Sequence, residues 1–245
     1  MLKNRAVFIN NWWIRSLSAA ALFILAVYSA TAGPEEQTVF SYALAGTVIV
    51  IDPGHGGVDS GAARGGILEK DITLQISKKL ARQLSQSGAL VVLLRENESD
   101  LAGDEFTGRI KDHKNEDMLK RVNKANEAKG DLFISIHVNA SPSSVWSGAQ
   151  TFYKPEHEES RKIAEAIQNA LRFQLKNTKR AAAAGDFFVL KKTNMPAVMV
   201  EAGFLSNKTE ADLLTDNDYQ ERLVHAIITG LANFRAARPD SRSNG

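Results

Sequence analysis

The protein has 245 residues, with 30 basic and 28 acidic side chains, a net charge of +2 at neutral pH and no cysteine. This near balance of charge, without runs of Lys and Arg interleaved with aromatic residues, predicts no nucleic-acid partner. Because cysteine is missing, disulfides and thiolate metal sites are excluded, and any metal has to rest on His and carboxylate ligands. The length is sufficient for one hydrophobic core.

The first 32 residues have a different character from the rest of the chain. Basic residues precede the apolar stretch 17–30, and Ala30-Thr31-Ala32 has the small-x-small pattern of a signal-peptidase site. The stretch is short for a spanning helix, which needs about 20 apolar residues, although residues 12–14 would extend it. We therefore expect an exported protein in which residues 1–32 are a signal peptide or an N-terminal membrane anchor and residues 33–45 are a linker.

Three apolar runs each lead to a residue that can bind a metal or transfer a proton. The pairs are residues 49–51 with His55, residues 132–136 with His137, and residues 197–200 with Glu201. Continuous apolar runs are typical of parallel strands buried on both faces, and ligands collect outside the carboxyl ends of such strands. Glu69 begins a helical pattern soon after the glycine-rich turn that carries His55. These four residues are therefore predicted to converge in one site.

The remaining apolar patterns alternate between strand and helix spacing. They predict further strands at residues 89–94, 148–153 and 187–190, and helices at about 71–85, 118–129, 160–176 and 219–234. The polar connection 96–115 is long for a compact domain, which favours a mobile flap. We therefore expect a single α/β domain over residues 46–235, with a mostly parallel six-stranded sheet and helices on both faces, followed by a disordered tail over residues 236–245.

The candidate residues suit metal-assisted hydrolysis. Two histidines and a carboxylate are a usual ligand set for catalytic zinc, with a further position left for water, and His55, Glu69 and His137 supply that set. Bound zinc lowers the pKa of water to about 7 and polarises a carbonyl group. A carboxylate outside the ligand set then has to move protons, and Glu201 fits this role. The reaction class that follows is hydrolysis of an amide.

Several of these residues also have a purely structural interpretation. A histidine at a strand end is more often hydrogen-bonded structure than a ligand, and a glutamate at a helix start often only complements the helix dipole. The other histidines, His113, His157 and His225, are predicted to be solvated surface residues. Trp146, in the loop 141–148, either stacks on a sugar ring or packs against the protein. The glycine-rich turn lacks the G-x-x-x-x-G-K-[ST] pattern, which argues against nucleotide binding.

The four candidate residues lie in blocks whose polar positions are intact: Asp52-Pro53-Gly54-His55-Gly56-Gly57, Leu68-Glu69-Lys70, Ser135-Ile136-His137-Val138-Asn139-Ala140 and Val200-Glu201-Ala202-Gly203-Phe204-Leu205-Ser206-Asn207. In this order, over residues 47–234, they resemble the signature blocks of the zinc-dependent N-acetylmuramoyl-L-alanine amidases of the amidase 3 family. The resemblance implies zinc bound by His55, Glu69 and His137, with Glu201 as the catalytic carboxylate. It also implies cleavage of peptidoglycan at the amide between N-acetylmuramic acid and L-alanine of the stem peptide.

Within that family, the chain is similar to the germination-specific amidases of spore formers. The similarity rests on the single catalytic domain, the export signal and the stretch 143–153. It implies a role in spore cortex maturation, in which muramic acid becomes muramic-δ-lactam and a peptidoglycan deacetylase acts after the amidase. The corresponding location is outside the cytoplasm, in the cell wall or in the intermembrane space of the forespore.

Two other functions remain open on the sequence. A zinc peptidase or carboxypeptidase would use the same ligand types but would cleave within the stem peptide. An inactive wall-binding protein would retain the fold with a vestigial site. The intact ligands and Glu201 argue against the second alternative.

Overall fold

The computed structural model describes residues 44–103 and 107–237. The predictions of a signal peptide or anchor, of nearly all of the linker and of most of the tail lie outside the described residues. Within these two ranges, no helix combines the length and the apolar character that are needed to cross a membrane.

The described chain alternates between strands and helices, as the sequence predicts. The strands are β1 (Val48–Pro53), β2 (Ala63–Arg64), β3 (Ile67–Leu68), β4 (Leu90–Leu93), β5 (Leu132–Asn139), β6 (Gln150–Tyr153), β7 (Ala183–Ala184) and β8 (Ala197–Phe204). The helices are α1 (Glu69–Gln86), α2 (Ile110–Glu127), α3 (Glu158–Leu175), α4 (Phe188–Lys192), α5 (Lys208–Thr215) and α6 (Asn217–Ala236).

Six strands form the central sheet in the order β4, β1, β5, β8, β6, β7. The first four run parallel, whereas β6 is antiparallel to β8, and β7 is parallel to β6. The prediction of a mostly parallel six-stranded sheet is confirmed. Strands β2 and β3 form a separate small hairpin that the sequence did not predict.

Alternate residues of the central strands face opposite sides of the sheet. One side packs against α1, α3 and α6, with strand residues such as Ile49, Ile134 and Val198 in its core. The other side packs against α2 and α4, with Phe133 and Met199 in a smaller core. Helices therefore cover both faces, and the two cores differ in size.

Two of the predicted strands differ from the structure. Residues 187–190 belong mostly to helix α4, and the sixth strand of the sheet is β7 instead. A four-residue apolar run is too short for periodicity to distinguish a strand from a helical turn. Strand β4 was predicted to be buried, but it lies at the sheet edge, where Leu90 is 63% exposed.

The prediction of one long polar flap over residues 96–115 is wrong, because helix α2 begins at Ile110. The turns before it are tied to the rest of the domain: the Gly57 amide donates to the carbonyl of Glu98 at 2.6 Å. His113 was predicted to be solvated, yet it is buried and its Nε2 lies 3.1 Å from the Asp100 carboxylate.

The other two histidines outside the candidate site differ from each other. His157 is half-buried and caps helix α3, because its Nδ1 accepts a hydrogen bond from the Ser160 amide at 3.2 Å. The prediction of a solvated side chain is therefore wrong for this residue. His225 is exposed on α6, as expected.

Candidate active site and metal centre

The carboxyl end of β1 delivers His55 into a glycine-rich turn. Gly54 packs against the ring of His137, and a Cβ at this position would lie 2.4 Å from that ring. His55 itself has a φ of 61°, a left-handed conformation that is uncommon for residues other than glycine. The turn therefore combines a close approach between β1 and β5 with a strained backbone at the histidine.

The structure brings His55, Glu69 and His137 together. Their potential ligand atoms all lie within 4.8 Å of one another. The Glu69 Oε1 atom is 3.2 Å from Nε2 of His55 and 3.1 Å from Nδ1 of His137. The two rings meet edge to face with a centroid separation of 5.0 Å. Two nitrogens and a carboxylate oxygen thus face a common point, which is the arrangement that a divalent metal requires.

Glu69 is held rigidly at the start of α1. Its Oε2 accepts a hydrogen bond from the Ala62 amide at 2.8 Å, and its Oε1 accepts one from the Val138 amide at 2.9 Å. The residue is only 4% exposed. Burial alone would raise the pKa of Glu69, but His137 and His55 outweigh it and hold this pKa well below its usual range. Glu69 is therefore a carboxylate under ordinary conditions, as a metal ligand has to be.

Asp59 orients the ring of His55 from the side opposite Glu69. Its Oδ2 lies 2.9 Å from Nδ1 of His55, and its Oδ1 lies 2.8 Å from the Lys114 ammonium. Burial lowers the pKa of His55, but the hydrogen bonds to Asp59 and Glu69 outweigh burial and raise it to about 9. Carboxylates that hold the second ring nitrogen of a ligand histidine are common in metal sites. The sequence reasoning missed Asp59, although its place four residues after His55 was a usable signal.

Glu201 lies beside His137, because these two residues are register partners on β8 and β5. Strand β8 continues through Glu201 to Phe204, so the strand does not end at the carboxylate as the apolar run suggested. Glu201 is 9% exposed, and its Oε2 is buried without a hydrogen-bond partner in the part of the chain that the structure describes. Burial, with a smaller effect of Glu69, raises the pKa of Glu201 to about 7. A carboxyl group with such a pKa can both accept and donate a proton near neutrality.

Arg121 is a buried arginine that sequence reasoning missed, and it supports the glycine-rich turn that carries His55, called the histidine turn below. Arg121 of α2 pairs with Asp52 of β1 at 2.7 Å and donates hydrogen bonds to the carbonyls of Pro53 and His55. Asp52 also accepts a hydrogen bond from the Ser135 hydroxyl at 2.7 Å. Burial would raise the pKa of Asp52, but Arg121 keeps it below its usual value. The strained turn is therefore fixed by a charged side chain that only the tertiary structure places there.

Arg95, just beyond β4, supports the same turn from the α1 side. It donates to the carbonyl of Lys70 at 2.9 Å and to the carbonyl of Gly54 at 3.2 Å. The Thr73 hydroxyl donates to the Gly54 carbonyl as well, at 2.8 Å. Burial lowers the pKa of Arg95 to about 10, so the side chain is still charged at neutral pH. Two buried arginines thus bracket the backbone that carries His55.

Comparison with known proteins agrees with this geometry. A family profile described as N-acetylmuramoyl-L-alanine amidase matches residues 49–233. The germination-specific N-acetylmuramoyl-L-alanine amidase of Bacillus subtilis is 40% identical over 202 residues, which cover 82% of this chain and 85% of that protein. The N-acetylmuramoyl-L-alanine amidase LytC of the same organism is 37% identical over 191 residues, which cover 77% of this chain but 36% of that protein.

A solved structure extends the similarity to the fold. The CwlD amidase from Clostridioides difficile, solved in complex with the GerS lipoprotein, superposes with a TM-score of 0.76 at 37% identity. The match covers 78% of this chain and 100% of that one. The chain therefore belongs to the N-acetylmuramoyl-L-alanine amidase family and is an enzyme that hydrolyses peptidoglycan.

Proposed function

We propose that His55, Glu69 and His137 bind one zinc ion and that Glu201 transfers the protons during hydrolysis of the amide between N-acetylmuramic acid and L-alanine. The observation that carries this proposal is the arrangement of three ligand atoms within 4.8 Å of one another, next to a buried carboxylate with an unpartnered oxygen. The donor set of two imidazoles and one carboxylate fits zinc, and the chain has no thiolate to compete.

The protein residues divide the chemistry between them. When bound, zinc lowers the pKa of water to about 7 and polarises the carbonyl group under attack. Glu201 accepts a proton from the attacking water as the new bond to the lactyl carbonyl carbon forms. As the carbon–nitrogen bond breaks, Glu201 donates this proton to the nitrogen of L-alanine. The histidine turn is braced by Arg121 and Arg95, which keeps the reacting geometry fixed.

The narrower role that we propose is maturation of the spore cortex. It is supported by the similarity to a germination-specific amidase and by the sequence stretch 143–153. In this role the product, muramic acid freed of its peptide, is converted to muramic-δ-lactam after a peptidoglycan deacetylase has removed the acetyl group. We also propose that residues 1–32 export the protein, as a cleaved signal or as a membrane anchor, to the cell wall or the forespore intermembrane space. Residues 33–45 would then connect to a catalytic domain over 46–235.

The test is to incubate the purified protein, loaded with zinc, with intact peptidoglycan and to analyse the released material by mass spectrometry. We expect free stem peptides that begin at L-alanine, with the glycan uncut, and we expect a chelator to stop their release until zinc is restored. Metal analysis should find zinc in the wild type and in His225→Ala but not in His137→Ala. Because His225 is exposed on α6, its replacement is a matched control.

Other products would contradict the proposal. Cleavage within the stem peptide would favour the zinc peptidase alternative. Zinc binding without any release would favour a wall-binding protein, unless release appears when a partner is added, as a lipoprotein is present in the Clostridioides difficile complex.

A further inference from the structure

We propose that Arg180 determines the orientation of the substrate by binding a carboxylate of the stem peptide. This inference rests on the proposed function, because it takes Glu201 as the centre of the reaction. It assigns the peptide to the β6 side of Glu201 and the glycan to the opposite side. No residue of this chain discussed above has that role.

The position of Arg180 follows from the register of three strands. His137 on β5, Glu201 on β8 and Gln150 on β6 are successive register partners, so they form one row across the sheet. Directly opposed residues have their side chains on the same face, with Cα atoms about 5 Å apart. The Gln150 Oε1 accepts a hydrogen bond from Arg180 Nη1 at 3.4 Å. Arg180 therefore extends the row beyond Gln150, on the side of Glu201 away from His137.

The guanidinium of Arg180 is held in place before any substrate binds. It lies over the ring of Phe204 at 4.9 Å and over the ring of Trp146 at 5.3 Å. Its Nε donates to the carbonyl of Ser147 at 3.3 Å. Planar stacking of this kind favours arginine over lysine. Trp146 thus packs against a charged side chain of the protein, which was one of the two alternatives predicted for it.

The backbone at Arg180 is fixed as well. Its carbonyl accepts a hydrogen bond from the buried Gln168 side chain at 3.2 Å, and its amide donates to the Thr178 hydroxyl at 3.1 Å. A side chain that is ordered in advance loses little conformational entropy when it binds. This is the property expected of a recognition residue.

The charge of Arg180 is not neutralised by an ion pair. Across residues 44–103 and 107–237, no carboxylate forms a salt bridge with it. The charge of Arg180 slightly opposes the rise in the pKa of Glu210 that burial causes. The two Glu210 oxygens accept their hydrogen bonds from the Gly148 and Phe204 amides instead, each at 2.8 Å. The guanidinium is therefore available to an anion from outside the protein.

Arg180 borders a surface cleft of about 530 Å³ that is positively charged. Its lining includes three basic side chains and no acidic one: Lys176, Lys179 and Arg180. The loop 141–148 precedes β6, and the residues at Arg180 precede β7. Because β6 and β7 run antiparallel to β8, both segments lie at the carboxyl end of β8, which is the end of the sheet that carries Glu201. A cleft of this charge at the same end of the sheet as the reaction centre favours an anionic part of the substrate.

The chemistry of the substrate identifies that part. The carboxyl group of muramic acid is consumed in the scissile amide, and the N-acetylated sugars carry no charge, so the carboxylates near this bond belong to the stem peptide. The row of side chains places the guanidinium on the order of 10 Å from Glu201. An extended residue spans about 3.5 Å, so this distance reaches a carboxylate two or three residues from the cleaved nitrogen.

The experiment compares two soluble glycan fragments that differ in one group. In both, each muramic acid bears L-alanine followed by D-glutamate whose γ-carboxyl group is blocked as the amide, and the α-carboxyl group is either free or also converted to the amide. We expect the wild type to hydrolyse the free acid with a kcat/KM about tenfold higher, the size of one charge-assisted hydrogen bond. Arg180→Gln should lose this preference by slowing only the free acid, and Arg180→Lys should recover part of it.

The control variant is Arg82→Gln, which removes an exposed arginine that pairs with Glu221 near the far end of α1. It should retain the full preference. The preference is a ratio measured on one preparation, so partial unfolding of a variant does not change it. Equal hydrolysis of both fragments by the wild type, or an unchanged preference in Arg180→Gln, would overturn the assignment of Arg180. If the wild type cleaves neither these fragments nor intact peptidoglycan, the proposed function fails and this inference fails with it.

Discussion

The two faces of the central sheet are built from alternate residues of the same strands, yet only one of them buries ionisable side chains beside apolar ones. The face toward α1, α3 and α6 is apolar along its whole length: Ile49, Ile51, Ile134, Ile136, Val198 and Val200. The face toward α2 and α4 is apolar at one end only and carries polar groups near the carboxyl ends of the strands: Asp52, Ser135, His137 and Glu201. The change from one face to the other occurs between adjacent residues, such as Ile134 and Ser135.

This comparison separates the origin of stability from the origin of function. Apolar burial stabilises the fold by about 25 cal/mol per Å² without requiring partners. Buried charges cost free energy unless they are paired, and here Asp52 has Arg121 while Glu69 has two histidines. By contrast, one oxygen of the buried Glu201 carboxylate has no hydrogen-bond partner among the described residues. The face toward α2 and α4 therefore buries the Glu201 carboxylate at a cost in folding free energy, at the position where the reaction needs it.

The largest effect is expected from Glu201→Gln. General acid and base groups contribute about 10²–10⁴-fold to rates, so kcat should fall by about 10³-fold while zinc content is unchanged. The measurement is release of stem peptide together with metal analysis on the same sample. Turnover at more than a tenth of the wild-type rate would contradict the proton-transfer role, whereas loss of zinc would mean that Glu201 is a ligand.

The second prediction compares the two faces of the sheet by substitutions at adjacent positions of β5. Ile134→Ala removes a fully buried side chain and should lower the free energy of unfolding by about 3 kcal/mol. Ser135→Ala removes the hydrogen bond to Asp52 and should cost about 1–2 kcal/mol. Urea unfolding at saturating zinc measures both, and the activity per folded molecule should be retained in Ile134→Ala. A larger loss of stability in Ser135→Ala than in Ile134→Ala would contradict the division of roles between the faces.

A third prediction concerns pH and the metal-free protein. Because the pKa of Glu201 rises from 4.5 to about 7 on folding, its contribution to stability is complete below pH 4.5 and is lost as the pH rises through 7. The loss is at most about 3 kcal/mol. Glu201→Gln cannot ionise and escapes this loss, so with a chelator present the variant should gain stability over the wild type between pH 5 and pH 8.

Urea unfolding at these two pH values tests this expectation. A difference between variant and wild type that is the same at pH 5 and pH 8 would show that burial does not penalise the charged form of Glu201. With zinc bound, the nearby cation favours the carboxylate, and the pH dependence of the difference should become smaller.

The smallest effect is expected from Asp59→Asn, which keeps the shape but removes the charge that orients His55. Loss of such a supporting carboxylate typically weakens metal binding about 10–100-fold. Competition with a chromophoric chelator measures the zinc affinity. Asp112→Asn, which alters an exposed pair with Arg109 on α2, is the control and should bind zinc as the wild type does. An unchanged affinity in Asp59→Asn would remove Asp59 from the metal site.

Sequence reasoning succeeded where a local pattern and a chemical type coincide. His55, His137 and Glu201 each follow an apolar run, and the parallel strands bring those runs to one edge of the sheet. It failed where a role depends on contacts between distant segments. Arg121 is one of several charged residues on α2, and only packing of that helix under β1 shows that it is buried against Asp52.

The same limit applies to secondary structure and to Arg180. Residues 187–190 could form a strand or a helix by pattern. In the structure Phe187 precedes α4, and the centroid of its ring lies 5.3 Å from that of Phe152. Arg180 stands among other basic residues, and nothing local distinguishes it from Lys179. Its place beside Gln150 arises from the pairing of β7 with β6, which joins segments some 30 residues apart.

The sequence by itself determined the α/β class, the apolar runs that lead to His55, His137 and Glu201, and the family, because apolar periodicity and short motifs are local properties of the chain. The tertiary structure decided which polar residues support those motifs, which face of the sheet carries them and that Arg180 lies beside Gln150. Those outcomes depend on strand register and helix packing, and both are set by the burial of the whole domain rather than by any single segment.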